Sequence, residues 1–194
     1  MERHYSPGRT WEALARGLVP LFELGDVLDV GCGDGVLASL LAPRSRQYTG
    51  LDKSPKVIDA ARRRLAGLPR VELVQGDMEA LPFEAESFDA VLLFHVLTYA
   101  RVPSDALSEA ARVLRPGGRL VAVTLAAHEH VASTERYGHL HPGFAPSAIR
   151  ASLARAKLSV DTCAITSRET REPHFEVLTA VATKPARRRE IQNG

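Results

Sequence analysis

The chain has 194 residues, enough for one domain with its own core. Its 45% hydrophobic and 25% charged content is ordinary for a globular protein, and its formal net charge of +2 excludes a broad basic field for nucleic acids or membrane surfaces. The apolar runs at 90–94 and 40–42 are too short for a transmembrane helix. Met1-Glu2-Arg3-His4 lacks a signal-peptide core, and Cys32 and Cys163 form neither a disulfide framework nor a metal-ligand spacing. A cytoplasmic location is expected.

Helix spacing runs over 10–22, with Trp11, Leu14, Ala15, Leu18 and Leu21 on one face and Thr10 as N-cap. Val27–Val30 reads as a buried strand stopped by glycines, and Val36–Ala42 as a helix closed by Pro43. Gln47–Leu51 is a strand, and Lys56–Leu65 a helix capped by Ser54 with Pro55 in its first turn. Val71–Gln75 and Phe88–Phe94 are strands, the second apolar without alternation and so central. Pro103–Leu114 is a helix broken by Arg115-Pro116-Gly117-Gly118, and Arg119–Leu125 the next strand. A polar loop is expected over 126–144, then a helix at 147–156 and two strands, 158–166 and 175–182, that follow each other directly.

Strands alternating with helices predict right-handed crossovers and a mostly parallel α/β sheet covered on both faces. The final pair predicts a hairpin with one antiparallel strand, seven strands in all. Three segments are expected: an N-terminal helical cap over 1–25, the main domain over 26–184, and a flexible basic tail over 185–194. Tyr5 and Arg9 belong to the cap as lid candidates, and Arg187–Arg189 to the tail.

The sharpest local signal is Asp29-Val30-Gly31-Cys32-Gly33-Asp34-Gly35, between the first strand and a helix. Glycines there let backbone approach a ligand closely, and such sheets bind ligands beyond the carboxyl ends of their strands. A dinucleotide fingerprint needs a third glycine at 36, where Val36 stands, which weighs against a nicotinamide-dependent oxidoreductase. Asp52 ends the second strand, where a carboxylate accepts ribose hydroxyls. Asp77 follows the third, suited to an amino group on an adenine ring, with Met78 on the ring's face. Asp29 is placed to meet a ligand ammonium, directly or through water. Three acids without a P-loop lysine favour a cationic cofactor without phosphates. Singly, Asp52 and Asp77 also read as helix caps or solvated loop acids.

As a set these residues resemble the class I S-adenosylmethionine-dependent methyltransferases. VLDVGCGDG at 27–35, LDKSP at 51–55, QGDMEALPF at 75–83, SFDAVLLFHVLTY at 87–99 and EAARVLRPGGRL at 109–120 carry the likeness. It implies a Rossmann-like three-layer sandwich with seven strands, the last antiparallel, and S-adenosylmethionine as cofactor. It implies that Asp29, Gly31, Cys32, Gly33 and Gly35 line the methionine moiety, with Asp52 and Lys53 at the ribose, Asp77 and Met78 at the adenine, and Phe94 and His95 flanking the cofactor. PGRTWEALA at 7–15 and ERYGHLHPGF at 135–144 are most similar to the methyltransferase domain fused behind ArsR-type regulators, in the type 11, UbiE-like group. Only a few residues precede Pro7, so the regulators' DNA-binding function is not carried over.

The acceptor is expected to be a small molecule methylated at O, S or C by in-line displacement, with no membrane or nucleic-acid partner and a monomer or homodimer as the assembly. Phe94-His95-Val96-Leu97 replaces the Asn/Asp-Pro-Pro-aromatic run typical of amino-group methylation, and no cysteine near the fourth strand serves a covalent cytosine mechanism. His128, His130, His139 and His141 cluster in the long loop, which reads as a solvated loop, as a general base or acceptor clamp, or as a metal site from two His-x-His pairs. His95, His139 and His141 are the catalytic candidates, and no metal ligands are assigned. A non-catalytic module that senses S-adenosylmethionine or S-adenosylhomocysteine is the alternative function.

Overall fold

A computed structural model describes residues 11–186, with side chains from residue 15 onward. Thr10, Tyr5, Arg9, the side chain of Trp11 and Arg187–Arg189 lie outside the described residues.

Helix α1, Trp11–Leu18, continues as a 3-10 turn at Val19–Leu21, where Pro20 ends regular helix. Then come β1 (Asp26–Val30), α2 (Ala38–Leu41), β2 (Gln47–Asp52), α3 (Pro55–Arg64), β3 (Val71–Gln75) and β4 (Phe88–Phe94). They are followed by α4 (Pro103–Val113), β5 (Leu114–Leu125), α5 (Val131–Glu135), α6 (Pro146–Arg155), β6 (Ser159–Arg168) and β7 (Glu176–Thr183). The sheet has the order β3-β2-β1-β4-β5-β7-β6. The pairs from β3 through β5 are parallel, and β7 runs antiparallel to both of its neighbours. This is the expected Rossmann-like α/β sandwich.

Side-chain alternation along each strand divides the core into two layers. Leu28, Val30, Val91 and Leu93 face α4 and α6 with Leu107, Leu114, Leu120 and Leu153. Val27, Tyr48 and Leu92 face α2 and α3 with Ala38, Ala42 and Leu65. Each fully buried Leu contributes about 1.5–3 kcal/mol of transfer free energy.

Several local expectations are corrected. Ser54 occupies the N-cap of α3 without a side-chain cap bond; Asp52 instead accepts the Ser54 N–H, at 2.9 Å. Arg115–Gly118 does not separate helix from strand. The helix ends at Val113, and these residues form an irregularity inside β5, where pairing jumps from Phe88↔Leu114 to Ala90↔Arg119. Gly118 permits it, since a Cβ there would stand 2.8 Å from the Arg115 carbonyl. The loop over 126–144 contains the single turn α5. No helix among the described residues is long and apolar enough to cross a membrane.

Candidate active site

The carboxyl ends of β1, β2 and β4 converge on the glycine loop. The N–H groups of Gly31 and Cys32 both donate to the Leu51 carbonyl, at 2.7 and 3.0 Å, laying the loop across the end of β2. Gly31 has φ +74°, and a Cβ there would lie 2.4 Å from Val96 Cγ2, so only glycine fits. Asp52 accepts the Gly33 N–H on Oδ2 at 3.2 Å and the Ser54 N–H on Oδ1. Two backbone donors fix the plane of its carboxylate, and each oxygen keeps acceptor capacity for a ligand.

Asp77 is held from the other side. The Glu79 N–H donates to its Oδ1 at 3.0 Å and Lys53 Nζ to its Oδ2 at 3.0 Å. These two contacts, the backbone one foremost, keep its carboxyl below the usual carboxylate range. Arg101 pairs with Glu79 at 2.9 Å, tying the β3 loop to the segment after β4.

Around these groups lies a cavity of about 460 Å³, within the common span for small-molecule sites. It brings together Gly31, Gly33, Asp52, Lys53, Asp77 and Met78 on one side. Phe94, His95 and Tyr99 close the other.

Asp29, Cys32 and Gly35 are not among the residues that line this cavity. Asp29 has the parity of Val27, so its side chain turns into the α2–α3 layer, where it is buried and accepts a hydrogen bond from the Tyr48 hydroxyl. Burial raises its pKa to about 6, against the lowering effect of Tyr48. Tyr48 itself is pushed up by burial and by the neighbouring carboxylate. Cys32 points at Gly50, where a Cβ would stand 2.9 Å from its Sγ. Burial and the nearby acids push its thiol up to about 12, so it is an inert packing group. Gly35 packs on Leu65 and Ala61 of α3.

A second cavity, about 590 Å³, adjoins the first and shares His95 and Tyr99 with it. The His95 backbone is left-handed at φ +54°, held by its N–H donating to Val123 O at 2.7 Å. Non-glycine residues in that region are uncommon and gather at functional sites. The imidazole is accessible to solvent. The surrounding walls still desolvate it enough to lower its pKa, partly offset by the charge of Glu169. His139 stands edge-on to Tyr99, with centroids 4.7 Å apart, and its Nδ1 is buried without a partner.

His141 lines neither cavity. Its Nε2 bonds the Ala100 carbonyl at 2.9 Å and its ring packs on Phe144, so it anchors the loop. His128 and His130 lie apart, against Phe175. Among the described residues no group of three His, Cys, Asp or Glu is gathered to hold a metal ion.

Tyr48, Tyr99 and Glu169 escape sequence reasoning. Tyr99 stands five residues past the end of β4, and Glu169 one residue past β6, in a connection with no motif. Only the three-dimensional return of the β6–β7 turn over the end of β4 brings Glu169 to His95.

Residues 28–122 match the family described as "Methyltransferase domain". That match covers just under half of the chain. Over 95 residues, 49% of the chain, it is 41% identical to a demethylmenaquinone methyltransferase of Clavibacter sepedonicus, covering 39% of that protein. Over 96 residues, 47% of the chain, it is 49% identical to a fatty-acid O-methyltransferase of Mycolicibacterium smegmatis, covering 34% of that protein. The chain thus spans less than half the length of these curated relatives. Among solved structures, a geranyl diphosphate C-methyltransferase from Streptomyces coelicolor A3(2), in complex with S-adenosyl-L-homocysteine, superposes with a TM-score of 0.72 at 21% identity, over 89% of this chain and 80% of that one. That similarity shows the fold alone. The matched segment ends at residue 122, so it covers the first cavity and little of the second.

Proposed function

We propose that this chain is an S-adenosylmethionine-dependent methyltransferase acting on a small molecule, with the cofactor in the first cavity and the acceptor in the second. The observation that carries the reading is the junction of the two cavities at His95 and Tyr99. A binding module for the cofactor alone has no need of a second cavity opening on the same point.

The first cavity fits the cofactor chemically. Asp52, oriented by two backbone N–H groups, accepts ribose hydroxyls, and Asp77 with Met78 receives the adenine. Lys53, the one lysine on the wall, is neutralised by Asp77, so the cavity suits a cation without phosphates. Gly31 and Gly33 bring backbone close to the methionine portion, while Asp29 supports the loop from behind through Tyr48. S-adenosylmethionine supplies a methyl group on a sulfonium centre and leaves as a neutral thioether. The protein's part is to align the acceptor and receive its proton. His95 sits at the junction to do so, with His139 clamping Tyr99.

The likeness of 7–15 and 135–144 to the domain fused behind ArsR-type regulators, and the segment bounds 1–25, 26–184 and 185–194, belong to the same proposal. So do a cytoplasmic setting, consistent with the two free buried thiols Cys32 and Cys163, and a monomer or homodimer.

Parallel calorimetric titrations with S-adenosylmethionine, S-adenosylhomocysteine and NADH test the reading. Micromolar binding of the first two and none of NADH is expected. Binding of NADH alone would overturn it. Cofactor binding without turnover across a broad acceptor panel would favour the sensor.

A further inference from the structure

The second cavity has a composition that narrows the acceptor, on the reading that the first holds the cofactor. Tyr99, Tyr137, Phe175 and Pro173 give it flat apolar surface, suited to the face of a planar ring. The β6–β7 turn adds Glu169, Arg171 and Glu172, and α5 with its flank adds Arg136. Arg136 rests on the Tyr137 ring at 4.8 Å. The carboxylate of Glu169 makes no hydrogen bond or ion pair among the described residues, although its own N–H is fixed to Phe175 O at 2.8 Å. Neither ring nitrogen of His95 has a protein partner among them. A free imidazole and a free carboxylate therefore face one space, each wall otherwise built.

We infer that the second cavity takes an aromatic hydroxyl compound, that His95 receives the hydroxyl proton, and that Glu169 is a positioning residue that holds negative charge beside the imidazolium so formed. The transfer balances within these groups. The acceptor O–H bond breaks, an N–H bond forms on the imidazole, the electron pair stays on the acceptor oxygen, and the proton later leaves to water. A phenolic hydroxyl, which like that of tyrosine ionises at about pH 10, gives its proton to a histidine base far more readily than an aliphatic alcohol does. A carboxylate acceptor needs no base and leaves His95 without a role.

The groups facing His95 come from several elements. They are Glu169, Arg171 and Glu172 from the β6–β7 turn, Arg136, Tyr137 and His139 from the loop around α5, and Tyr99 from the segment after β4. On the cofactor side stand Asp52, Lys53 and Asp77. Of these, Glu169 favours the charged imidazole and His139 opposes it.

The test uses the full chain without cofactor. The His95 ring is titrated by NMR, its signals assigned by their loss in His95→Gln. In Glu169→Gln the His95 pKa is expected to fall, and in Glu169→Asp to return toward the native value. 4-Nitrophenol, yellow only when ionised, then serves as the probe. At a fixed pH the native chain is expected to raise the ionised fraction of bound probe, Glu169→Gln to raise it less, and His95→Gln not at all. An unchanged His95 titration in Glu169→Gln, or absence of probe binding, overturns the inference. S-adenosylhomocysteine affinity, measured by calorimetry in Glu169→Gln, is expected to stay within twofold of native. Loss of cofactor binding in the native chain would instead count against the reading on which the inference rests.

Discussion

The two halves of the proposed site are built differently. On the cofactor side, acids are satisfied before any ligand arrives: Asp52 by two backbone N–H groups, Asp77 by Glu79 and Lys53, and Asp29 by Tyr48. On the acceptor side, Glu169, His95 and His139 Nδ1 carry unused hydrogen-bonding capacity. His139 Nδ1 is buried and so awaits a partner, whereas His95 and Glu169 are exposed to solvent and free to meet a ligand. The cofactor half is thus organised by backbone and the acceptor half by side chains. The first tolerates little change, while the second can be altered without unfolding the chain.

The largest break in that contrast is expected at Gly31. Gly31→Ala combines a left-handed L-residue, at about 1–2 kcal/mol, with an overlap on Val96 that costs a further 1–3 kcal/mol or so. Stability should fall by about 4 kcal/mol in urea unfolding, and cofactor affinity with it. Gly33→Ala, where a Cβ meets open space at φ +57°, should cost only about 1 kcal/mol. Equal effects at the two glycines would show that the loop relaxes freely.

Asp29 tests the same rigidity through pH. Its carboxyl titrates at about 6 in the folded chain and at its ordinary 3.8 when unfolded. Between those values the folded chain holds a proton that the unfolded chain has released. Its contribution to stability therefore declines as pH rises through the window, by about 3 kcal/mol, and is level above it. Asp26, Asp77, Glu79 and Glu109, all shifted down, act in the opposite sense at lower pH. The difference between Asp29→Asn and native unfolding curves at pH 4 and pH 7 isolates the effect. A constant difference would mean that Asp29 titrates alike in the folded and unfolded chain.

Asp52→Ala removes a charged acceptor and should weaken S-adenosylmethionine binding by about 2 kcal/mol in calorimetry. Unchanged affinity in the folded variant would sink the ribose assignment. The smallest effects divide the histidine loop. His139→Ala should lower turnover and leave cofactor affinity as it was. His141→Ala should leave turnover nearly native and cost about 1 kcal/mol in thermal unfolding, through the lost bond to Ala100. The reverse pattern would exchange their roles.

The same contrast governs what could be read from the chain. Glycine spacing and acids at strand ends are local, so the chain itself points to Asp52, Asp77 and Met78, and the alternation of elements to seven strands with the last antiparallel. Asp29 also stands at a strand end, but its parity turns it inward with Val27, which its place in sequence does not announce. Arg115–Gly118 reads as a break because proline and glycine usually punctuate, yet β4 accommodates the irregularity. The acceptor side was only half legible. His95 and His139 stood out by residue type, but Glu169 and Tyr99 reach the junction through packing of distant segments. Nothing local distinguishes His139 from His141. The Ala100 carbonyl does, from 41 residues away.

The order β5-β7-β6 has a consequence for synthesis. Every parallel pair from β3 to β5 can close as soon as its second strand leaves the ribosome, since each partner precedes it. β6 emerges before its only partner, because β7 both completes β5 and supplies the neighbour of β6. A nascent chain stalled short of Glu176 therefore carries two open strand edges at once, one on β5 and one on β6, each a template for pairing with another chain. The last strand to be made closes both edges.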